Sequence, residues 1–269
     1  MAESTNGVIH LPRNKQSIAN QLLLEHCSVA YQPMQLVNSR RFIGVEIFAR
    51  WSHPHYGELS APELIELAEE RGIIDELTVR ILQQALPEFK LLCEHDANLS
   101  LSVNVSPASF QHPSFLTVLI EQCKQHGIHP NQLILEFPES VVFNQINHFI
   151  GLLEKFRKAG FKVALDDFGT ADATATTLAQ MHLHQIKVDI SVIANIHSSK
   201  EAEFLAKAVM RLAHQTGVLV TAEGIEDIAT LNTVAELGFD IIQGFQISRP
   251  LTIAELCTWV AENKNPQTA

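Results

Sequence analysis

The sequence predicts an α/β fold, a TIM-like (β/α)8 barrel closing as a single domain, and three observations point to it. Short β-branched runs alternate with longer segments of helical period, the order expected of a parallel sheet with helices outside it. The 269 residues suit a barrel that closes as one unit, at about 250 residues. Several strand-like runs also carry a polar residue in their later part, the end at which such a barrel places its functional groups. Together these favour a barrel over an open doubly wound sheet.

In chain order, residues 1–20 are polar and unpatterned and read as an N-terminal extension. The barrel domain then spans 21–262. Its strands are expected at Ser28–Met34, Phe42–Trp51, Leu99–Ser106, Gln132–Phe137, Lys162–Asp167, Gln185–Ile190, Val218–Gly224 and Ile241–Ile247. Helices are expected at Ala61–Arg71, Ile74–Cys93, Pro113–His126, Ile146–Ala159, Glu201–Thr216 and Ile228–Leu237, with Gly127, Gly160, Gly217 and Gly238 as stop signals. In Glu201–Thr216, the residues Phe204, Leu205, Ala208, Val209 and Leu212 form the stripe of a helix packed on a barrel. Residues 263–269 form a polar tail.

Composition narrows the function. Hydrophobic residues make up 46% of the chain and charged residues 18%, which supports a sizeable core. The formal charge of −11 argues against polymeric nucleic acid as a partner. An anionic ligand would need local positive charge, which bound divalent cations supply in an acidic pocket. Four widely spaced cysteines suggest neither a zinc knuckle nor a disulfide framework, so a cytoplasmic setting is the simple expectation. No apolar run reaches membrane-spanning length.

The chemistry lies in polar residues embedded where strands buried on both faces should be apolar. They occur in Val45-Glu46-Ile47, Val103-Asn104-Val105, Leu135-Glu136-Phe137, Leu165-Asp166-Asp167, Ile186-Lys187-Val188 and Ala222-Glu223-Gly224. By the period of two, Glu46, Phe48 and Arg50 face the barrel interior, while Ile43, Val45 and Ile47 face the helices. One such carboxylate would be an ordinary strand-end charge. Five of them with an amide at one mouth repel one another unless cations bind or some hold protons. Carboxylate and amide oxygens are hard ligands suited to Mg²⁺ or Mn²⁺, and adjacent Asp166 and Asp167 allow one carboxylate to bridge two ions. The pairs His53/His55 and His182/His184 read as solvated or capping histidines.

These residues carry a resemblance. From Tyr31 to Leu251 the chain resembles the EAL domain of cyclic di-GMP phosphodiesterases, through Tyr31-Gln32-Pro33, Glu46-Ile47-Phe48-Ala49-Arg50-Trp51, Asn104, Glu136, Asp166-Asp167-Phe168-Gly169-Thr170, Lys187-Val188-Asp189, Glu223-Gly224-Ile225-Glu226 and Gln243-Gly244-Phe245. The resemblance implies an EAL-type barrel with two divalent metal ions, Mg²⁺ or Mn²⁺. Glu46, Asn104, Glu136 and Asp166 would hold one; Asp166, Asp167 and Glu223 would hold the other. Lys187 would hydrogen-bond or help deprotonate the attacking water, its pKa depressed by the cations, or act only electrostatically. Glu226 and Gln243 would support the cluster and the substrate. Gln32 and Arg50 would hold guanine and phosphate, and Phe48 would pack on a guanine or fill the pocket floor. The implied activity is hydrolysis of cyclic di-GMP to linear pGpG, with a homodimer among the expectations.

The chain departs from the family in three places. The triplet is Glu-Ile-Phe instead of Glu-Ala-Leu. The segment after Thr170, which the family uses in metal binding and dimerisation, reads Ala171-Asp172-Ala173-Thr174 instead of Gly-Tyr-Ser-Ser. Pro138 replaces a Thr, although Glu139 remains to support that loop with Thr170. The expectation is weakened turnover or dimer coupling over an intact metal site, with a non-catalytic cyclic di-GMP receptor as the alternative.

Overall fold

The computed structural model describes residues 20–94, 96–140, 146–170, 178 and 180–263. The segments read as extension and tail therefore lie almost wholly outside the described residues, as do positions 171–175 of the altered loop.

Among the described residues nine strands form one sheet: β1 (Cys27–Leu36), β2 (Phe42–His53), β3 (Gly57–Leu59), β4 (Ser100–Asn104), β5 (Leu133–Pro138), β6 (Lys162–Phe168), β7 (Gln185–Val188), β8 (Leu219–Ala222) and β9 (Ile241–Ile242). The order runs β1-β9-β8-β7-β6-β5-β4-β2, and β2 pairs back onto β1, closing a barrel of eight strands with β3 as a hairpin arm on β2. Every ladder from β2 through β4 to β9 is parallel. β1 instead runs antiparallel to both neighbours. The cause is local: only residues 37–41 join β1 to β2, and a parallel crossover needs about a dozen or more.

The helices are α1 (Ala61–Glu70), α2 (Ile74–Cys93), α3 (Pro107–Gln111), α4 (Phe115–His126), α5 (Ile146–Lys158), α6 (Ile190–Ala194), α7 (Lys200–Thr216), α8 (Ile228–Glu236) and α9 (Ile253–Glu262). α1 starts at a capping box, in which the Ser60 side chain accepts from the Glu63 N–H and the Glu63 carboxylate accepts from the Ser60 N–H. α4 and α7 stop at Gly127 and Gly217, which adopt φ of 65° and 70°. The expected stripe of α7 is only partly the buried one. Ala202, Ala206, Val209, Met210 and Ala213 face the barrel, whereas Phe204 is 75% exposed. The helix has apolar residues on two faces, and the small ones let it approach the sheet.

The main core lies between the outer face of the barrel and the helices, where Val45, Ile47, Leu101, Val103, Leu135 and Leu165 belong to one buried cluster with Leu82, Leu86, Phe89, Phe149 and Phe156. This confirms the outward assignment of Val45 and Ile47. A second cluster, with Trp51, Leu64, Ala68, Ile73 and Leu77, seats α1 beside the barrel mouth. Inside the barrel the buried layer is partly polar: Ser102, Gln185 and Thr221 are all shielded, and Gln185 Nε2 donates to Thr221 Oγ1 at 2.6 Å.

Candidate functional site

Glu46, Asn104, Glu136, Asp166, Lys187 and Glu223 come from six successive barrel positions, on β2, β4, β5, β6, β7 and just past β8; Glu46 stands mid-strand in β2, level with the end of the β2–β4 ladder, and the other five lie at or near the C-terminal ends. The ammonium of Lys187 sits at their centre. Its Nζ lies 3.0 Å from Glu46 Oε2, 2.9 Å from Glu136 Oε2, 3.1 Å from Asp166 Oδ1 and 2.8 Å from Glu223 Oε1. Glu46 is held at both oxygens: Oε1 accepts from Asn104 Nδ2 at 2.8 Å, and Oε2 from Gln243 Nε2 at 2.7 Å as well as from Lys187. Gln243 Nε2 also reaches Gln32 Oε1 at 3.0 Å, and Gln32 Nε2 donates to the Ser248 carbonyl at 3.0 Å.

The adjacent carboxylates Asp166 and Asp167 require a local exception. Period two would send them to opposite faces of β6. The β6–β7 register shifts between Leu165 and Phe168, and Asp167 takes φ of 54°, in the left-handed region that Asp tolerates better than most residues. The result is that both face the mouth, where Asp166, Asp167 and Glu223 offer oxygens within 4.8 Å of one another, and Glu46, Glu136 and Asp166 form a second such group. Asp166 belongs to both.

Charge does not balance at this floor. Burial raises Glu136 well above the ordinary carboxylate range, and Glu46 and Asp166 add to it against the pull of Lys187. Asp166 is raised for the same first reason, burial, which with the Glu46 charge outweighs Lys187. Burial lifts Glu223 to about 8, opposed by Lys187 and reinforced by Asp166 and Glu46. Asp167 rises to about 6 through burial and its neighbours Asp166 and Asp189. Glu46 moves the other way: burial would raise it, but Lys187, Gln243 and Asn104 together hold it below its usual value. Burial would likewise lower Lys187, yet the four carboxylates push it well above the ordinary lysine value, the opposite of what two neighbouring cations would do.

The donor set fits divalent metal ions. Among the described residues Glu136 Oε1 and Asp166 Oδ1 are buried without a hydrogen-bond partner, Asp166 Oδ1 keeping the ion-pair contact with Lys187 Nζ at 3.1 Å. Buried polar atoms are normally satisfied, so such oxygens at a carboxylate cluster suit a hard cation.

A family model described as EAL domain matches residues 15–250. The chain belongs to the EAL-domain family. It is 32% identical over 232 residues to the cyclic di-GMP phosphodiesterase PA2567 of Pseudomonas aeruginosa, covering 86% of this chain and 40% of that protein. It superposes on the solved PaMucR phosphodiesterase in its c-di-GMP complex with a TM-score of 0.84 at 26% identity, over 90% of this chain and 99% of that one. The EAL domain of Mycobacterium smegmatis DcpA matches with a TM-score of 0.75 at 27% identity, over 89% and 100%. The chain spans between 29% and 40% of the length of its curated relatives.

Above the EAL carboxylates opens a cleft of about 840 Å³. Of the residues singled out from the sequence, Gln32, Glu46, Phe48, Asn104, Asp166, Asp167, Glu223, Glu226 and Gln243 line it, with Glu226 exposed. Glu136 and Lys187 are wholly buried beneath the floor. Arg50 is outside the lining: its guanidinium lies 5.5 Å from the Phe48 ring centroid, and Nη1 donates to the Ala49 carbonyl at 3.0 Å. Glu139 Oε2 accepts from the Gly169 and Thr170 N–H groups at 2.8 and 3.1 Å, and Thr170 Oγ1 donates to the Asp167 carbonyl at 2.8 Å. These bonds fix the backbone just past the paired aspartates. Pro138 stands beside Asp166 in the β5–β6 ladder.

Sequence reasoning missed several cleft residues. Phe245 is 47% exposed there and carries Arg249 at 4.1 Å from its ring centroid. Its signal was available, since it completes the Gln243-Gly244-Phe245 triplet. Ile190 and Asp189 follow Lys187 closely and were equally readable. Pro62, Ile65, Glu66 and Glu69 enter only because α1 packs beside the mouth, which no local pattern announces. No helix among the described residues is long and apolar enough to cross a membrane.

Proposed function

We propose that this chain hydrolyses cyclic di-GMP to linear pGpG with the help of two divalent cations. The observation that carries the reading is Asp166, shared between two carboxylate groups on the floor of a cleft roomy enough for a dinucleotide. Its similarity to PA2567, named a cyclic di-GMP phosphodiesterase, and to the PaMucR complex supports the choice of substrate.

In this reading Glu46, Asn104, Glu136 and Asp166 hold one ion, and Asp166, Asp167 and Glu223 the other. Asn104 spends Nδ2 on Glu46 and keeps its carbonyl oxygen for ligation. Bound Mg²⁺ or Mn²⁺ supplies an ionised water near neutral pH and positive charge for the phosphate oxygens. The chain's own residues do the rest. Glu46 is pre-oriented by Asn104 and Gln243, so its carboxylate needs no reorganisation. Lys187 Nζ lies beneath the floor and is engaged by four carboxylates when no ion is bound; once ions draw those carboxylates away, it holds the attacking water by donating to it, or takes its proton once deprotonated. That water attacks phosphorus in line, the P–O3′ bond breaks, and a proton passes to the departing 3′ oxygen. Gln32, Gln243 and Glu226 position the dinucleotide, Phe48 packs on a guanine, and Arg50 turns from Ala49 to meet a phosphate. Glu139 and Thr170 keep Asp167 in its left-handed conformation.

The test is turnover with Mg²⁺, Mn²⁺ or chelator, resolving pGpG from cyclic substrate. Glu46→Ala should lower kcat/KM by at least about a thousandfold, the scale expected when an electrostatic centre is dismantled. Undiminished turnover in that variant, or none in the parent with any metal, overturns the proposal. The departures at Pro138 and 171–174 favour a second reading, a receptor that binds cyclic di-GMP without cleaving it. Tight binding with no pGpG in Mn²⁺ would establish it. A homodimer belongs to the first reading and is checked by light scattering.

A further inference from the structure

Next to the cleft lies a separate cavity of about 200 Å³, walled by α1, α2, the middle of β2 and the C-terminal end of β4. Its deep surface is apolar, formed by Ile47, Ala49, Ile74, Leu77, Ile81 and Val103. Protein cores hold few voids larger than a water molecule. An apolar cavity of about 150 Å³ is enough to take up benzene.

We propose that this cavity is a binding site for a small uncharged aromatic molecule of one or two fused rings, and that its occupancy is felt in the cleft. Size and lining set the ligand class. Among the described residues no cationic side chain lines it, so a carboxylate or phosphate would lose its hydration without compensation. Glu69, the one ionisable group among its described lining residues, stands at the solvent-reaching rim, where Oε1 accepts from Ser106 Oγ at 2.6 Å. The second Glu69 oxygen suits a ring N–H or O–H donor.

Coupling follows from the shared wall. Phe48, Ala61, Ile65, Glu69 and Asn104 line both the cavity and the cleft. Phe48 lies under Arg50, and Asn104 donates to Glu46. An occupant presses on Phe48 and Ile65 from behind and narrows the cleft.

The probe is indole, titrated into the whole chain and followed by methyl NMR. Saturable shifts at Ile65, Ile74, Leu77 and Ile81, with a millimolar or tighter Kd, are expected. Absence of saturation, or shifts centred on Ile190, which lines the cleft alone, overturns the site. Thr78→Met and Ala49→Val fill the cavity from opposite walls and should weaken indole at least tenfold with the melting temperature retained; equal binding by a folded variant overturns it too. If neither variant folds, the parent's methyl map decides. The coupling rests on the proposed hydrolysis: indole should raise the KM for cyclic di-GMP several-fold with kcat little changed, and an unchanged KM refutes it. A parent without turnover sinks the hydrolysis reading and leaves the methyl map standing.

Discussion

Replacing the shared carboxylate by its amide, Asp166→Asn, sets stability against function. In the metal-free chain, burial and the Glu46 charge together outweigh the attraction of Lys187, so the ionised form of Asp166 is disfavoured where it stands. Lys187 keeps three other carboxylates at 2.8 to 3.0 Å when that charge is removed. The neutral variant should therefore be more stable than the parent at pH 8 in chelator, by about 0.5–2 kcal/mol, the usual return when a residue kept for activity is relieved. At about 2–4 °C per kcal/mol for a large domain, the melting temperature rises by a few degrees. In Mn²⁺ the order reverses. A metal at a hundred times its Kd stabilises the parent by about 2.7 kcal/mol, and the variant, missing the carboxylate common to both groups, should gain little. Calorimetry or urea unfolding in EDTA and in Mn²⁺ reads all four values. A variant that is destabilised in EDTA, or that gains as much from Mn²⁺ as the parent, would refute the account of Asp166 as a strained shared ligand.

Three further outcomes are expected. Glu223 at about 8 and Asp167 at about 6 both have folded values above the unfolded ones, so the metal-free fold binds extra protons; stability present at low pH is lost as pH rises from about 4 through 8. Urea midpoints across that range should decline in EDTA and flatten in Mn²⁺, and a midpoint rising with pH would contradict the charge balance. Glu139→Ala leaves the Gly169 and Thr170 N–H groups without their carboxylate acceptor, costing about 1–3 kcal/mol; kcat should fall more than KM rises, as steady-state kinetics can check. Gly224→Ala places a Cβ 2.2 Å from Ile190 Cγ1 at a φ of 64°, so it should destabilise by about 1–3 kcal/mol and displace a cleft wall. A melting curve unchanged by that substitution would contradict the close approach.

Much of the site was legible in the sequence, because a charged or amide side chain inside a Val/Ile/Leu strand is costly enough to need a reason. Glu46, Asn104, Glu136, Asp166, Lys187 and Glu223 all signalled themselves that way and all converge at one mouth. The helix stops at Gly127 and Gly217 were equally plain. The direction of β1 was not read, although the five-residue link to β2 contained the answer. Phe204 was read as packed because helical spacing reports that an apolar stripe exists without saying which of two stripes faces the sheet.

The sequence by itself determined the order of elements, the hard-oxygen character of the site and its family resemblance, since these depend on residue type and spacing along the chain. Only the tertiary structure decided how Asp166 and Asp167 come to share a face, through a bulge and one left-handed residue. It alone placed α1 as a common wall of cleft and cavity, and Lys187 as the single cation, among the described residues, within reach of four carboxylates. Such features depend on distances between residues far apart in the chain, and those distances exist only once the barrel has closed.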